Sequence, residues 1–490
     1  MHPICYLLLL VPLTAFSARP NIVWIVPDDM SAHFSCYGET TIKTPHVDAL
    51  AKSGVRFTKA FVTSPVCSPC RTALITGMYQ TTIGGHQHRS GMGTYKNHLD
   101  PQIRLVPDLL KEAGYHTSIT SWPMREDKLG KTDYNFEWDR SIYDSEDWAD
   151  RAKDQPFFAQ IHTHGGKMRG DHPKSWDRFE KRTLETLGST TPTTAVQLPP
   201  YYPAHPTILR DWAAYLDTVR MTDHQVGQIM ARLKSEGVLK NTIVVFMTDH
   251  GISHARGKQF LYDEGLHVPL IITGPGLEAG AVRTDLVEHI DLAALTIAKA
   301  GLEVPSWMQA RDILAADYQP REAAYAARDR CDETIDRIRS VRTARYKYIR
   351  NFYPQRAYLQ PCAYKDFKHI MIALRDWHQK GELTGPQLLQ FRDTRPAEEL
   401  YDLKSDPHEL HNLASDPAHQ KPLQTHRKLL TTWIKTTRDR AQEKEPLASY
   451  NSSMHRYLTH AQKRFTKAYA TTLEKNIQEA RAWHYPEAKP

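Results

Sequence analysis

The residues most suited to catalytic chemistry lie in one short run, Cys67-Ser68-Pro69-Cys70-Arg71. An apolar stretch follows this run and ends at Thr76-Gly77. Cys67 can be a buried thiol, a disulfide partner of Cys70 or a metal ligand. A Cys-x-x-Cys pair is typical of redox and zinc sites, but the chain has no second such pair. If a helix begins at Cys67, Arg71 lies on the same face, because residues four apart are neighbours on a helix.

The pattern Cys-x-Pro-x-Arg with its Thr-Gly ending resembles the signature of the type I sulfatases. The resemblance implies that a maturation enzyme oxidises Cys67 to formylglycine (3-oxoalanine), an aldehyde whose hydrate is the nucleophile. One hydroxyl of the hydrate attacks sulfur and the other expels sulfate as the aldehyde reforms, so no second attack on sulfur is needed. A sulfate ester is an anion, so the site also needs cations at the sulfate oxygens. A Cys67–Cys70 disulfide would block this maturation.

Acidic residues follow two apolar runs that are typical of buried parallel strands. Asp28-Asp29 follows residues 21–26, and Asp249-His250 follows residues 242–247. Each pair alone is as typical of turns, but parallel strands bring such residues to one edge of a sheet. The family resemblance implies that Asp28, Asp29, residue 67, Asp249 and His250 surround Ca²⁺. Carboxylate oxygens favour Ca²⁺ or Mg²⁺, and the histidine is a softer donor.

Two lysines match cationic elements of the same family. Lys131 stands in a Gly-Lys pair after a Gly-Tyr-x-Thr run, and Lys258 follows Gly257 beyond the second acidic pair. The resemblance implies that both act in catalysis with Cys67 and Arg71, whereas the simpler alternative is a solvated surface charge. Asp133 stands where the family commonly has a histidine, which leaves that role unassigned.

Two further regions are expected to bind substrate. In the family a Pro-Phe-Phe element leads to a histidine that touches sulfate. Counting from Pro156 places Lys167 at that position, with His164 close by, so either residue can take the role. Arg328 and Arg330 lie in a dense run of charges and are predicted to bind sugar hydroxyls or carboxylates, because arginine offers a bidentate fork. A surface salt-bridge cluster is the alternative for that run.

The elements that must position these residues alternate along the chain. Apolar runs predict strands at residues 21–26, 156–161, 242–247 and 268–272, and periodic patterns predict helices at 47–51, 105–114 and 209–236. Such alternation predicts a doubly wound α/β sheet. The family resemblance implies that this sheet is an alkaline-phosphatase-like mixed sheet, and that a smaller C-terminal α+β subdomain accompanies it. Residues 165–207 are polar and rich in Pro and Thr, which predicts a long loop insertion.

The domain organisation predicted from these patterns has three parts. Residues 1–18 resemble a signal peptide, with Ala15 and Ser17 at the small positions of a cleavage site. Residues 19–322 form the catalytic α/β domain. Residues 323–490 form the C-terminal subdomain, with a hairpin at 340–350, a strand at 398–403 and a basic helical tail from Tyr450.

Composition narrows the class of protein. The 490 residues carry a net charge of +7 without a dense Lys/Arg block, which does not indicate nucleic-acid binding. The N-terminal apolar run is too short to span a membrane, and no other segment qualifies, so a secreted or periplasmic location is expected. The five cysteines left after Cys5 are too sparse for a disulfide scaffold.

The resemblance extends from Asn21 to about Asp416 and looks closest to N-sulfoglucosamine sulfohydrolase-like and arylsulfatase members. The segments at 215–223 and 339–342 carry the closer likeness. It implies hydrolysis of a sulfate ester or N-sulfate of a saccharide, with that saccharide and the maturase as partners. Two alternatives stay open: a phosphonate or phosphate monoester hydrolase of the same fold, and a sulfated-glycan-binding protein that never matures Cys67.

Overall fold

The computed structural model describes residues 19–125 and 129–487 of the chain, so the predicted signal peptide lies outside the described residues. The main sheet contains eight strands: β1 Asn21–Ile25, β2 Val55–Phe61, β3 His116–Thr120, β4 Phe157–Ile161, β5 Thr242–Met247, β6 His267–Thr273, β7 Ala281–Arg283 and β8 Val287–Glu288. Their order is β3-β4-β1-β5-β6-β2-β7, and β8 pairs with β2.

The direction of the strands explains where the site must form. Strands β3, β4, β1 and β5 are mutually parallel, with Trp24 opposite Gln160 on one side and Val245 on the other. Strand β6 runs antiparallel to both β5 and β2, so β2 is again parallel to β1. Strands β7 and β8 also run parallel to β2, so every strand of the sheet except β6 points to the same edge, and the residues that follow these strands can meet there.

The described helices are α1 Pro45–Ser53, α2 Cys67–Thr76, α3 Val106–Glu112, α4 Pro173–Leu187, α5 Pro206–Ser235, α6 Asp263–Leu266, α7 Asp291–Lys299, α8 Ala363–Asp366, α9 His369–Gln379, α10 Gln420–Thr436, α11 Leu447–Arg464 and α12 Lys467–His484. They cover both faces of the sheet. Alternate residues of β1 enter different cores: Trp24 packs in the core that includes Leu74 of α2, and Val23 packs in the core that includes Leu216 of α5. This arrangement confirms the doubly wound fold.

The prediction for residues 165–207 was wrong in part. The segment contains a 3-10 helix at Gly165–Arg169 and the fifteen-residue helix α4, which packs on α5 through Trp176 and Phe179. Helix α4 is strongly amphipathic, with a narrow apolar face among many charges. The high polarity of this stretch in sequence reflects its exposed face and does not indicate a loop.

A second sheet follows the first, with order β12-β11-β10-β9 and all neighbours antiparallel. Its strands are β9 Ala324–Arg328, β10 Ile338–Arg342, β11 Tyr346–Asn351 and β12 Glu398–Asp402. The hairpin and the late strand predicted from the sequence are both present, and the basic tail forms α11 and α12.

Glu333 links this C-terminal region together and makes its stability depend on pH. Its Oε1 accepts hydrogen bonds from the Ala363 amide (2.6 Å) and from Asn476 of α12 (3.0 Å). Burial, together with the nearby charge of Asp332, raises the pKa of Glu333 from 4.5 to about 7. The stabilising contribution of the protonated carboxyl is therefore complete below about pH 4.5 and is lost as the pH rises through 7.

Glu333→Gln is expected to increase the free energy of unfolding at pH 8 by about 1–3 kcal/mol, because the buried group then stays neutral. At pH 5 the gain should be far smaller, since the folded-state carboxyl is already protonated. Denaturant unfolding at both pH values measures this difference. Glu479→Gln, at an exposed glutamate of α12, is the control. Equal effects of Glu333→Gln at pH 5 and pH 8 would contradict the raised pKa.

Candidate active site

Cys67 is the first residue of α2, which follows β2 at the common edge of the sheet. Only 2 % of its surface is exposed. Its Sγ lies 3.1 Å from Lys258 Nζ, 3.1 Å from His250 Nε2 and 3.5 Å from Lys167 Nζ. Burial opposes ionisation, but the positive charges of Lys131, Lys167 and Lys258 outweigh it and hold the pKa of this thiol well below its usual value. The position is built for an anion.

Cys70 has different surroundings although it belongs to the same helix. Its thiol donates a hydrogen bond to the backbone carbonyl of Asp249 at 2.6 Å, and burial, with the charge of Asp249, raises its pKa. All five cysteines among the described residues are free thiols. The disulfide alternative for Cys67 and Cys70 is therefore wrong in this structure.

Three of the predicted metal ligands converge on Cys67. One ligand atom from each of Asp29, Asp249, His250 and Cys67 lies within 4.8 Å of the others, and all four residues are buried. Burial disfavours protonation of His250, but Asp249, Cys67 and Asp29 outweigh it and raise its pKa to about 10. A divalent cation would take the place of that proton, since histidine binds metals only in its neutral form. The crowded carboxylates and their sheet-edge position fit a hard cation.

Asp28 lies beside this cluster and faces the cations. Its carboxylate accepts hydrogen bonds from Lys167 Nζ (2.7 Å), Lys131 Nζ (3.0 Å) and Arg71. Burial raises its pKa, but these three positive charges outweigh that effect and hold it well below the usual value. Asp28 therefore stays ionised and remains available as an oxygen ligand next to Asp29.

Arg71 shares a helix with Cys67 as predicted, but it contacts other groups. Its guanidinium donates to Asp28, to Asp249 Oδ2 (3.2 Å) and to the carbonyl of Lys131 (3.3 Å). No hydrogen bond from Arg71 to Cys67 is found within the described ranges. Arg71 thus fixes two of the predicted metal ligands and acts on residue 67 only through its charge.

Lys167 reaches the site because its backbone lies directly on the first acidic pair. A Cβ on Gly165 would come within 2.2 Å of the Asp28 carbonyl oxygen, and a Cβ on Gly166 within 2.2 Å of that of Asp29. Only glycine permits this approach. The 3-10 turn that follows carries Lys167 to Asp28, to Asp29 (3.1 Å) and to Cys67.

Of the two candidates for the sulfate-touching cation, the structure brings Lys167 to residue 67 and leaves His164 further out. In the described part of the chain, the His164 ring forms no hydrogen bond with another site residue. Burial lowers the pKa of His164, so its ring is neutral near pH 7. Lys131 and Lys258 both reach the acidic pair, with Lys131 Nζ 3.0 Å from Asp28 Oδ2 and Lys258 Nζ 3.3 Å from both Asp29 oxygens.

Arg328 and Arg330 do not serve as predicted. Arg328 is 5 % exposed and forms a buried ion pair with Asp336. Arg330 is 2 % exposed and binds Glu445 at 2.7 and 3.0 Å. Neither guanidinium is available to a saccharide, because each is buried and paired with a carboxylate of the protein. The run of charges in sequence is a set of internal ion pairs.

A polar group lies on the outer side of Lys131, and it includes Asp133, whose role the sequence left unassigned. Asp133 lies 3.5 Å from Lys131 Nζ and accepts a hydrogen bond from Arg89 Nε at 3.2 Å. His88 Nδ1 lies 3.1 Å from Asp332 and 2.9 Å from the hydroxyl of Tyr457 in α11. Asp332 and Tyr457 lie far from His88 and Asp133 in the chain, so no spacing in the sequence predicted that these residues meet.

Comparison with known proteins agrees with this geometry. The sulfatase family profile matches residues 20–301, and that of the N-sulphoglucosamine sulphohydrolase C-terminal region matches residues 250–368. An ulvan-active sulfatase of Formosa agariphila is 34% identical over 463 residues, covering 86% of this chain and 76% of the relative. Human N-sulphoglucosamine sulphohydrolase is 28% identical over 496 residues, covering 89% and 94%.

Solved structures show the same fold. BT4656 in complex with its substrate, D-glucosamine-2-N,6-O-disulfate, matches with a TM-score of 0.58 at 19% identity, covering 86% of this chain and 98% of that one. The phosphonate monoester hydrolase of Agrobacterium radiobacter also matches with a TM-score of 0.58, at 17% identity, covering 86% and 96%.

The fold, the signature and the matched residues place this chain in the sulfatase family, whose alkaline-phosphatase-like sheet it shares. It is a sulfatase, an enzyme that hydrolyses sulfate esters. Within residues 19–125 and 129–487, no helix has both the length and the apolar character needed to cross a membrane.

Proposed function

We propose that this sulfatase removes an O- or N-linked sulfate from a saccharide, with formylglycine at position 67 as nucleophile and Ca²⁺ in the adjoining carboxylate cluster. When formed, the hydrated aldehyde supplies a hydroxyl for attack on sulfur and a route for releasing sulfate. Asp28, Asp29, Asp249 and His250 would hold the cation, which would neutralise charge on the sulfate oxygens.

The observation that carries this proposal is the set of lysines shared between residue 67 and the acidic cluster. Lys167 and Lys258 each contact Cys67 and a predicted metal ligand at once. An anionic group bound over residue 67 therefore meets both ammonium groups without rearrangement. Preorganised cations of this kind favour the charge that develops in the transition state.

The saccharide part of the proposal is supported by the relatives, whose names include ulvan-active sulfatase and N-sulphoglucosamine sulphohydrolase. Both O- and N-linked sulfates carry the same terminal anion, so the cluster around Cys67 binds either. Discrimination between an oxygen and a nitrogen as the atom that links sulfate to the sugar must come from residues further from position 67.

A phosphonate or phosphate monoester hydrolase is the second candidate, because a protein of that kind shares the fold. Aryl sulfate, aryl phosphate and phenyl phosphonate esters of one phenol should be assayed side by side on the matured enzyme. We expect kcat/KM for the sulfate to be higher by about tenfold or more, since the site is matched to one anion. Faster phosphate or phosphonate hydrolysis would reverse the assignment, and inactivity on all three would favour the glycan-binding alternative.

Two further elements of the proposal rest on the sequence. A formylglycine-generating maturase must act on Cys67 before the chain folds, because the folded side chain is buried. Secretion or export to the periplasm follows from the signal-like residues 1–18, and N-terminal sequencing of the exported protein tests it.

A further inference from the structure

A cleft of about 740 Å³ opens beside the catalytic cluster. Arg89 and Asp133 line one wall, and residues of α11 line the opposite wall. Asp133 is also 3.5 Å from Lys131, whose ammonium group reaches Asp28 at 3.0 Å. Asp133 therefore joins the lining of the cleft to the cations around residue 67, and a substrate whose sulfate lies among those cations can place the rest of its saccharide in the cleft.

Helix α11 presents a polar, basic face to this cleft. The spacing of its lining residues is three or four, so they share one side of the helix: Arg456, Thr459, His460 and Lys463. The other side is apolar and packs on α12 through Tyr450, Met454 and Ala461. The amphipathic pattern therefore directs the basic side chains into the cleft.

The charges on this face are not neutralised by the protein. Among the described residues no carboxylate lies within ion-pair distance of Arg456 or Lys463, although Arg330 and Arg89 nearby are both paired. Partial burial and the positive charges of Arg464, Arg456 and Arg89 lower the pKa of His460. A cation at Lys463 can be explained by the helix dipole, since it lies in the last turn. Arg456 lies in mid-helix and has no such explanation.

The face is held in place relative to residue 67. The Tyr457 hydroxyl is hydrogen-bonded to His88 Nδ1 (2.9 Å), in the loop that follows the catalytic helix. Arg330 donates to Ser453 Oγ in α11 (3.2 Å), to Glu445 and to the backbone carbonyl of His88 (3.1 Å). The arginine that was predicted to bind substrate thus anchors the helix that lines the cleft.

We propose that Arg456 and Lys463 form a subsite for a second anionic group of the saccharide, a carboxylate or a further sulfate. This group lies on the sugar that carries the reacting sulfate or on its neighbour. The inference rests on the proposed function and extends it to a substrate class, that of saccharides with at least two negative charges. Both residues lie beyond residue 368, where the second family profile ends.

Binding can be measured without turnover in a Cys67→Ala background, with Ca²⁺ present. The probes are glucosamine 6-sulfate, glucosamine 2-N,6-O-disulfate and a uronyl-glucosamine 6-sulfate disaccharide. In the Arg456→Ala/Lys463→Ala variant, we expect the affinity gained from the second anion to fall about tenfold, as for the loss of one or two partly exposed charged contacts. The probe that loses more identifies the second anion as sulfate or carboxylate.

The matched control is Arg464→Ala/Lys467→Ala, which removes the same charge from exposed residues that do not line the cleft. It should leave the affinity ratio between probes unchanged. The subsite is rejected if all probes weaken by one factor, if the control has the same effect, or if the parent protein gains no affinity from a second anion. Because no turnover is involved, these outcomes are separate from the sulfate and phosphate assay that tests the proposed function.

Discussion

Cys67→Ala is expected to lower kcat by about four orders of magnitude or more, because no other group in the site can replace a covalent nucleophile. The remaining lysines and carboxylates should still bind substrate, so KM should change far less. Enzyme made together with a maturase is compared with the variant on an aryl sulfate. Peptide mass spectrometry of the parent protein should show residue 67 as the aldehyde, in which oxygen replaces sulfur and two hydrogens are lost.

Cys67→Ser gives a sharper form of this test. A serine hydroxyl can accept sulfate from the ester and release the alcohol, but it has no second hydroxyl to expel sulfate. Expressed without a maturase, this variant should give at most one turnover and retain a covalently bound sulfate, visible as a mass increase on that peptide. Sustained multiple turnover would contradict the need for the hydrate.

Cys70→Ser is the matched control from the same motif. A serine hydroxyl can keep the hydrogen bond that the Cys70 thiol donates to the Asp249 carbonyl, so activity should stay within about tenfold of the parent. A fully active preparation in which every residue 67 is still a thiol would contradict the formylglycine mechanism.

The core of the site could be predicted from sequence because its geometry follows from the sheet. Asp28 and Asp249 each follow a strand with continuous apolar character, and the ends of parallel neighbours such as β1 and β5 must meet. The antiparallel direction of β6 could not be predicted in this way. A strand buried on both faces has the same apolar composition whichever way it runs.

The residues that were misplaced depend on tertiary contacts that a sequence does not encode locally. Arg328 and Arg330 lie in a charged run, and the sequence cannot show whether their partners, Asp336 and Glu445, are folded against them. The position of Lys167 depends on two glycines that allow one backbone to lie on another. Arg456 belongs to the basic helical tail, and the sequence did not show which part of the protein this tail contacts. Only the structure shows that α11 lines the cleft.

Binding of Ca²⁺ to the acidic cluster is expected to affect both stability and activity. Ca²⁺ is expected to raise the melting temperature of the parent protein, because a ligand that binds only the folded state stabilises it by about 2.7 kcal/mol at a hundred times its Kd. Asp249→Ala should abolish this response, since the variant removes one of the four residues whose ligand atoms converge. It should also lower kcat/KM by at least about a hundredfold, the effect of losing one preorganised electrostatic contact in such a site.

Asp133→Asn separates the loss of a metal ligand from the loss of any buried carboxylate. Asp133 is buried, as Asp249 is, and pairs with Arg89 and Lys131, yet it lies outside the converging group. The Asp133→Asn variant should keep the Ca²⁺-dependent shift in melting temperature, even if its activity falls.

Thermal unfolding of the parent protein in chelator, in Ca²⁺ and in Mg²⁺ would distinguish the two cations, since Mg²⁺ demands a tighter octahedral arrangement than this mixed donor set offers. Identical melting curves in all three conditions, with full activity and no metal by elemental analysis, would show that the lysines and Arg71 alone neutralise the cluster.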